Sequence, residues 1–112
     1  MIFWITGRKH SGKTTLAKRI AQQINAIIVD GDEIREIFPD DFTEEGRERN
    51  QRRIAGLANL LDKQGFNVVI ACVSPRLWLR KELQGQLRNC VEIELPFGTL
   101  WKGSIYEETP VE

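Results

Sequence analysis

Gly7–Thr14 reads GRKHSGKT, and this stretch decides the fold because its glycines, lysine and threonine stand at the spacing of a phosphate-binding P-loop. In such a loop, successive backbone N–H groups converge on a phosphate chain, and the next helix presents its positive dipole end to the same charge. The lysine, Lys13, can then reach the β and γ phosphates, and the Thr14 hydroxyl can ligate the accompanying Mg²⁺. The motif therefore predicts a nucleotide site.

The segments on either side of the loop have the order that the motif requires. Ile2–Ile5 is an apolar run short enough for a buried strand, and apolar residues recur at helical spacing from Leu16 to Ile24. A glycine-rich turn without a ligand is the alternative, but it does not explain this order. The residues that we expect to bind the nucleotide are Gly7, Arg8, Lys9, His10, Ser11, Gly12, Lys13, Thr14 and Thr15. Among them we expect His10 to face solvent, because phosphoryl transfer does not need an imidazole.

Length and charge restrict the class of partner. A chain of 112 residues is long enough for one domain with a core, so we predict a single domain over 1–112. Sixteen basic residues balance sixteen acidic ones, which gives no net field to hold nucleic acid or an anionic membrane. No apolar run approaches the length of about 20 residues that a membrane span needs, and there is no charged leader. We therefore expect a small-molecule substrate and a cytoplasmic location.

The rest of the chain alternates strand-like and helix-like segments. The predicted strands are Ala26–Val29, Asn67–Val73 and Val91–Leu95. Predicted helices begin after three capping residues, Asp32, Thr43 and Ser74. This alternation predicts an α/β fold: a P-loop kinase-like parallel sheet of about four to five strands flanked by helices on both faces. The core would span 1–95, and 96–112 would form an irregular tail anchored by Trp101 and Tyr106.

Two acids lie at the end of the second predicted strand. Asp30 ends a strand that we expect beside the P-loop strand, where it could accept a hydroxyl proton or hold a magnesium-bound water. Asp32 follows directly. The alternative role for both is turn formation and helix capping, which stays open at this point.

Five arginines concentrate around the next two helix starts. They are Arg35, Arg47, Arg49, Arg52 and Arg53. Arginine suits bidentate contact with phosphate or sulfate oxygens. At helical spacing, however, these side chains cannot all reach one site, and a solvated helix face is the alternative for most of them.

Several segments together resemble adenylylsulfate kinase, the P-loop enzyme that phosphorylates the ribose 3′-hydroxyl of adenosine 5′-phosphosulfate with ATP. SGKTTLAKRIA at Ser11–Ala21 resembles the first helix of that family, and VDGDEIR at Val29–Arg35 resembles its DGDxxR motif. FTEEGRERNQRRIAGLANLL at Phe42–Leu61 is similar to the family's F-S-E-E-D-R-x-E-N-I-R-R-I-A segment. VSPR at Val73–Arg76 falls where the family has ISPY followed by Arg.

The resemblance implies ATP and Mg²⁺ as cofactors, a possible homodimer, and a role for each matching residue. Lys13 and Asp30 would be catalytic, with Asp30 at the 3′-hydroxyl and Thr14 on the metal. The implied substrate-binding residues are Asp32, Arg35, Phe42, Arg47, Asn50 and Ser74, with Phe42 stacked on the adenine and Arg47 and Asn50 on the phosphosulfate or ribose.

The carboxyl-terminal region departs from that family. Nothing in 96–112 matches the D-P-K-G-L-Y-like lid motif, and WKGSIYEE resembles the family's F-x-G-I-x-x-P-Y-E only faintly. On that alignment Trp101 would sandwich the adenine, whereas its alternative role is to anchor the tail. Three functions stay open: adenylylsulfate kinase, a kinase for another small alcohol or nucleotide, and a lidless nucleotide-binding module with little or no catalysis.

Overall fold

The computed structural model describes residues 1–8, 11–95 and 106–107. The strands within these ranges are β1 (Ile2–Gly7), β2 (Ile27–Asp30), β3 (Val68–Ala71) and β4 (Cys90–Leu95). The helices are α1 (Lys13–Ile24), α2 (Gly31–Ile37), α3 (Glu44–Lys63) and α4 (Leu77–Gln86). Predictions that concern Lys9, His10, Trp101 and most of the tail lie outside the described residues. None of the helices in the described ranges is long and apolar enough to cross a membrane.

The four strands form one parallel sheet in the order β2-β3-β1-β4. The predicted α/β fold is confirmed, but the expectation that β2 lies beside the P-loop strand is wrong. β3 lies between them, with Asp30 opposite Ala71 in the register. All four residues of β3 are buried, whereas β2 exposes Ile27 and Ile28, so the strand that is apolar on both faces takes the inner position.

Helices cover both faces of the sheet, as predicted. On one face Ile5 and Val69 pack with Ala17 of α1. On the other face lie Trp4 and Ile70, together with buried residues of α3 and α4. Large aromatic side chains are more often core residues than ligand platforms, which predicts core positions for Trp4, Trp78 and Phe66. Trp4 is a core residue, whereas Trp78 and Phe66 are about half exposed, at 51% and 47%, so the prediction is wrong for these two.

The structure changes two of the three predicted helix caps. Thr43 caps α3 as predicted, because its Oγ1 accepts a hydrogen bond of 3.1 Å from the Gly46 N–H. The cap of α2 is Asp30 rather than Asp32, since β2 runs directly into the helix. Asp30 Oδ1 accepts from the N–H groups of Asp32 at 2.8 Å and Glu33 at 3.4 Å.

Ser74 is not a helix cap. The residue that precedes α4 is Arg76, and it makes no side-chain capping bond. Ser74 instead has a positive φ of 46° and is 2% exposed. Ser74 therefore lies in the loop after β3, and its side chain is buried.

Candidate active site

A cavity of about 590 Å³ opens at the carboxyl ends of the inner strands. Parallel α/β sheets bind ligands at this edge, and small-molecule sites usually measure about 300–1,000 Å³. The predicted residues that line the cavity are Arg8, Ser11, Gly12, Lys13, Thr14, Thr15, Asp30, Asp32, Arg35, Phe42, Arg47, Asn50 and Ser74. Gly7 ends β1 just outside this lining. The structure therefore brings the two groups of predicted residues, nucleotide and substrate, to one cavity.

The two loop glycines hold conformations that disfavour a side chain. Gly7 has a φ of 148° and Gly12 a φ of 95°. A Cβ on Gly7 would also lie 3.0 Å from the Leu95 carbonyl oxygen and 3.0 Å from Ser11 Oγ. Gly12 directly precedes α1, so the first N–H groups of that helix open toward the cavity.

The Lys13 ammonium is folded back onto its own loop. Its Nζ donates to the carbonyl oxygens of Arg8 at 2.7 Å and Gly7 at 3.2 Å, and to Ser11 Oγ at 3.4 Å. Burial lowers the pKa of Lys13, while the nearby Cys72 and Asp30 act in the opposite direction. The loop therefore holds a half-buried cation in place by means of its own oxygen atoms.

Arg35 and Phe42 form a stacked pair at the α2 side of the cavity. The Arg35 guanidinium carbon lies 4.3 Å from the centre of the Phe42 ring, and its Nη1 donates to the Asp41 carbonyl oxygen at 3.0 Å. Phe42 nevertheless stays 69% exposed. An exposed aromatic ring with one face stabilised by a cation offers its remaining surface to a flat ligand group.

Arg47 and Asn50 bring uncommitted polar atoms to the cavity. Within the described part of the chain, the Arg47 side chain makes no hydrogen bond or ion pair. Asn50 Nδ2 donates to the Gly31 carbonyl oxygen at 3.3 Å, but its Oδ1 is buried without a partner there. Buried polar groups usually have partners, so the Asn50 Oδ1 atom is a candidate for contact with a ligand, and the half-buried Arg47 guanidinium is free to bind an anion.

The other arginines of α3 are paired away from the cavity. Arg49 donates two hydrogen bonds to Asp40, at 2.7 and 2.9 Å, and Arg53 donates one at 2.9 Å. The hydrogen bond from Arg49 is the main cause that holds the pKa of Asp40 well below its usual range. Arg52 pairs with glutamates of α3 and α4. For these three residues the interpretation as a solvated helix face is correct.

Ser74 lies on the cavity wall next to a thiol. Its Oγ is 2.9 Å from the sulfur of Cys72, which lines the same wall. Burial raises the pKa of Cys72, and the Ser74 hydroxyl and the Trp4 N–H lower it to a lesser extent. The apolar run around Cys72 predicts an ordinary, reduced core residue; Cys72 does pack against the core, and it also lines the cavity, which was not predicted.

Tyr106, one of the two described residues of the tail, contacts β1, β4 and α4, in keeping with its predicted anchoring role. Its hydroxyl donates to Glu94, and its oxygen lies 3.4 Å from Thr6 Oγ1. The Arg80 guanidinium carbon lies 4.6 Å from the centre of its ring. Burial raises the pKa of Tyr106 far above its ordinary value, so this hydroxyl stays protonated. Tyr106 also lines the cavity, which sequence reasoning did not predict.

Sequence reasoning also missed Arg80 and Gln51. Arg80 is 1% exposed, and its guanidinium approaches the carboxylates of Glu92 and Glu94. These two glutamates are two residues apart on β4 and therefore share one face of the strand, which was a signal that a cation lies against that face. Gln51 is 7% exposed, lines the cavity and has a buried Oε1 without a partner among the described residues. The available signal for Gln51 was a difference from the family segment quoted above, which has an apolar isoleucine where this chain has a polar glutamine.

The matching family and the two curated relatives described next agree with each other. The family described as adenylylsulphate kinase matches residues 1–107. An adenylyl-sulfate kinase of Synechococcus sp. (strain JA-3-3Ab) is 34% identical over 97 residues, which cover 80% of this chain and 55% of that protein. One from Myxococcus xanthus (strain DK1622) is 35% identical over an alignment of 117 residues, which covers 99% of this chain and 59% of that protein.

A solved structure shows the same fold. The Mycobacterium tuberculosis APS kinase in complex with AMPPNP and APS superposes with a TM-score of 0.76 at 24% identity. The superposition covers 84% of this chain and 61% of that one. The chain thus spans little more than half the length of the curated relatives described above.

Proposed function

We propose that this chain, which belongs to the adenylylsulphate kinase family, binds ATP with Mg²⁺ and phosphorylates the 3′-hydroxyl of adenosine 5′-phosphosulfate. One observation carries the proposal: a single cavity joins the P-loop to the uncommitted polar atoms of α3. Because this chain spans little more than half the length of those relatives, its activity, substrate and partners are all part of what we propose. The cytoplasmic location, the possible homodimer and the absence of a nucleic-acid partner remain predictions.

The loop side supplies the groups that a nucleotide needs. Phosphate oxygens would replace the loop oxygens to which Lys13 Nζ donates, so the ammonium would stay hydrogen-bonded throughout binding. The exposed Thr14 hydroxyl, in the first turn of α1, and the nearby carboxylate of Asp30 or Asp32 suit Mg²⁺.

A magnesium site would need few protein ligands here. The described residues contain no group of three or more His, Cys, Asp or Glu side chains that could hold a metal ion. Magnesium typically takes one or two protein oxygens and completes its octahedron with phosphates and waters. When bound, it neutralises charge on the β and γ phosphates.

The α2–α3 side supplies the groups that an adenylylsulfate needs. The exposed ring of Phe42, stacked on Arg35, would hold the adenine, and Arg47 would bind the phosphosulfate through a bidentate contact. Asn50 Oδ1 would accept a hydrogen bond from the ribose. Asp32 and Ser74 would complete the wall.

Asp30 would then accept the proton of the attacking hydroxyl. The hydroxyl oxygen forms a bond to the γ phosphorus, the bond to the β-phosphate oxygen breaks, and ADP leaves while the proton passes to the carboxylate. Asp30 Oδ1 is fixed by two N–H groups of α2, which holds the carboxylate in one orientation at the cavity.

The test is to incubate the protein with Mg-ATP and adenylylsulfate while following both the 3′-phosphorylated product and free phosphate. Asp30→Asn is the informative variant, because asparagine caps helices as well as aspartate does but is not a base. We expect its kcat to fall by about 10²- to 10⁴-fold with little change in Tm. An unchanged kcat would contradict the role of Asp30.

The same assay distinguishes the other two functions. Product formation only with a different hydroxyl acceptor would establish a kinase for another small alcohol or nucleotide. Binding of ATP without transfer to any acceptor would indicate a nucleotide-binding module.

A further inference from the structure

A second, much smaller cavity lies directly behind the wall of the candidate site. Its volume is about 10 Å³, and most of its lining is apolar. Gln51, Cys72 and Ser74 line both this small cavity and the large one. The fourth residue with a polar group in the lining is Trp4, from the middle of β1.

Two buried polar atoms at this small cavity are unpaired and chemically complementary. The Trp4 Nε1 group is a donor and the Gln51 Oε1 atom an acceptor, and neither has a hydrogen-bond partner within the described ranges. The residues are 2% and 7% exposed, so bulk water does not reach these atoms. The Trp4 N–H points toward the sulfur of Cys72 and lowers the pKa of that thiol, but the contact does not meet hydrogen-bond geometry, and sulfur is a weak acceptor.

The size of the small cavity selects one ligand. A buried water needs about 10–15 Å³ and typically two to four polar partners. The cavity offers this volume, a donor, an acceptor and the Ser74 hydroxyl. An ion is excluded by the apolar remainder of the lining, because it would lose its hydration without gaining a counter-charge.

We infer that one buried water molecule occupies this small cavity, accepts a hydrogen bond from Trp4 Nε1 and donates one to Gln51 Oε1, which holds the Gln51 amide nitrogen at the large cavity. Gln51 is then a positioning element that presents an N–H₂ donor at the acceptor site. If the amide were reversed, the water would have no amide oxygen to receive its proton.

The consequence for binding rests on the proposed function. Asn50, the preceding residue of α3, lines the same cavity, and its buried Oδ1 has no partner among the described residues. A donor from Gln51 beside an acceptor from Asn50 suits a ligand hydroxyl, which both donates and accepts. The pair would fix the sugar part of the acceptor molecule and leave its anionic part to Arg47.

The water itself is tested without reference to activity. In the ¹⁵N-labelled full chain, the indole N–H of Trp4, assigned by its loss in Trp4→Phe, should give a magnetisation-transfer cross-peak to a long-lived water. A high-resolution crystal structure should show that water between Trp4 and Gln51. The absence of both signals would overturn the inference, whether or not the protein is a kinase.

The positioning role is tested by Gln51→Leu, with Gln23→Leu at an exposed site of α1 as the matched control. We expect loss of the water cross-peak and a rise of about three- to tenfold in the KM for adenylylsulfate, with kcat within about twofold. Trp4→Phe should raise the KM in the same direction, which provides a second variant if Gln51→Leu fails to fold. An unchanged KM in folded variants would overturn the positioning role. If the unaltered protein keeps the water cross-peak but is inactive toward adenylylsulfate, only the proposed function is overturned.

Discussion

The P-loop side and the α2–α3 side of the cavity satisfy their polar groups in different ways. On the P-loop side, Lys13 is already hydrogen-bonded to oxygens of its own loop. On the α2–α3 side, the Arg47 guanidinium and the Asn50 Oδ1 have no partner within the described ranges. On the first side a bound phosphate chain would have to replace these loop oxygens, whereas on the second side a ligand would meet groups that have no partner to give up among the described residues.

On the proposed function, this difference would separate two contributions to phosphoryl transfer. Groups held by the loop would be preorganised to act on the charge that develops in the transition state. Groups left open on α3 would contact the bound acceptor and so affect its affinity. Variants on the P-loop side should therefore change kcat, and variants on the α3 side should change the KM of the acceptor.

Among the variants that compare the two sides, the largest effect is expected for Lys13→Met. Methionine keeps most of the length of the side chain but removes the charge that would reach the phosphates, so kcat/KM for ATP should fall by about 10²- to 10³-fold. Lys18→Met, at an exposed position of the same helix, is the control and should leave the rate unchanged. Steady-state kinetics with varied ATP measure the effect. A Lys13→Met protein with full turnover would contradict a catalytic role for Lys13 and the P-loop.

A smaller effect is expected for Arg47→Gln. Hydrogen bonds to a charged group contribute about 1.5–3 kcal/mol, so the KM for adenylylsulfate should rise about ten- to a hundredfold, and the Kd for ATP should not change. Arg52→Gln is the matched control, because Arg52 is five residues further along α3, lies outside the cavity lining and pairs with glutamates. Equal effects of the two variants would show that the open guanidinium of Arg47 is not what binds the acceptor.

The sequence predicted the P-loop side more completely than the α3 side. Eight consecutive residues specify the loop, and the Thr43 cap also depends only on its neighbours in the chain. The position of β3 between β1 and β2 depends instead on which strand is buried on both faces. That property belongs to the packed sheet, so the sequence pattern favoured the wrong neighbour for β2.

The arginines show the same limit at the level of single side chains. Arg47 and Arg49 are two residues apart, yet one faces the cavity and the other donates to Asp40. Helical spacing separates their directions, but it does not show which direction leads to the ligand. The position of Asp40 decides that Arg49 points away from the cavity. Asp40 lies in the loop between α2 and α3, and the position of that loop depends on the tertiary fold.

The smallest effect is expected at Asp40, on the paired face of α3. The Arg49 guanidinium holds the pKa of this carboxyl well below its ordinary value of 3.8, so the folded state favours the charged form. The resulting stabilisation is present above pH 3.8 and is lost as the pH falls below it toward the folded-state pKa. Asp40→Asn should therefore lower the Tm slightly at neutral pH, and its Tm should approach that of the unaltered protein in acid.

The Asp40 variant also tests whether the two faces of α3 act independently. Arg49 and Arg53 would lose their partner, but neither lines the cavity, so the KM for adenylylsulfate should stay the same. Glu36→Gln, at an exposed position of α2, is the control for removal of a charge. A rise in KM for Asp40→Asn alone would mean that the ion pairs orient Arg47 through the helix. The paired face would then be part of the acceptor site rather than a source of stability separate from it.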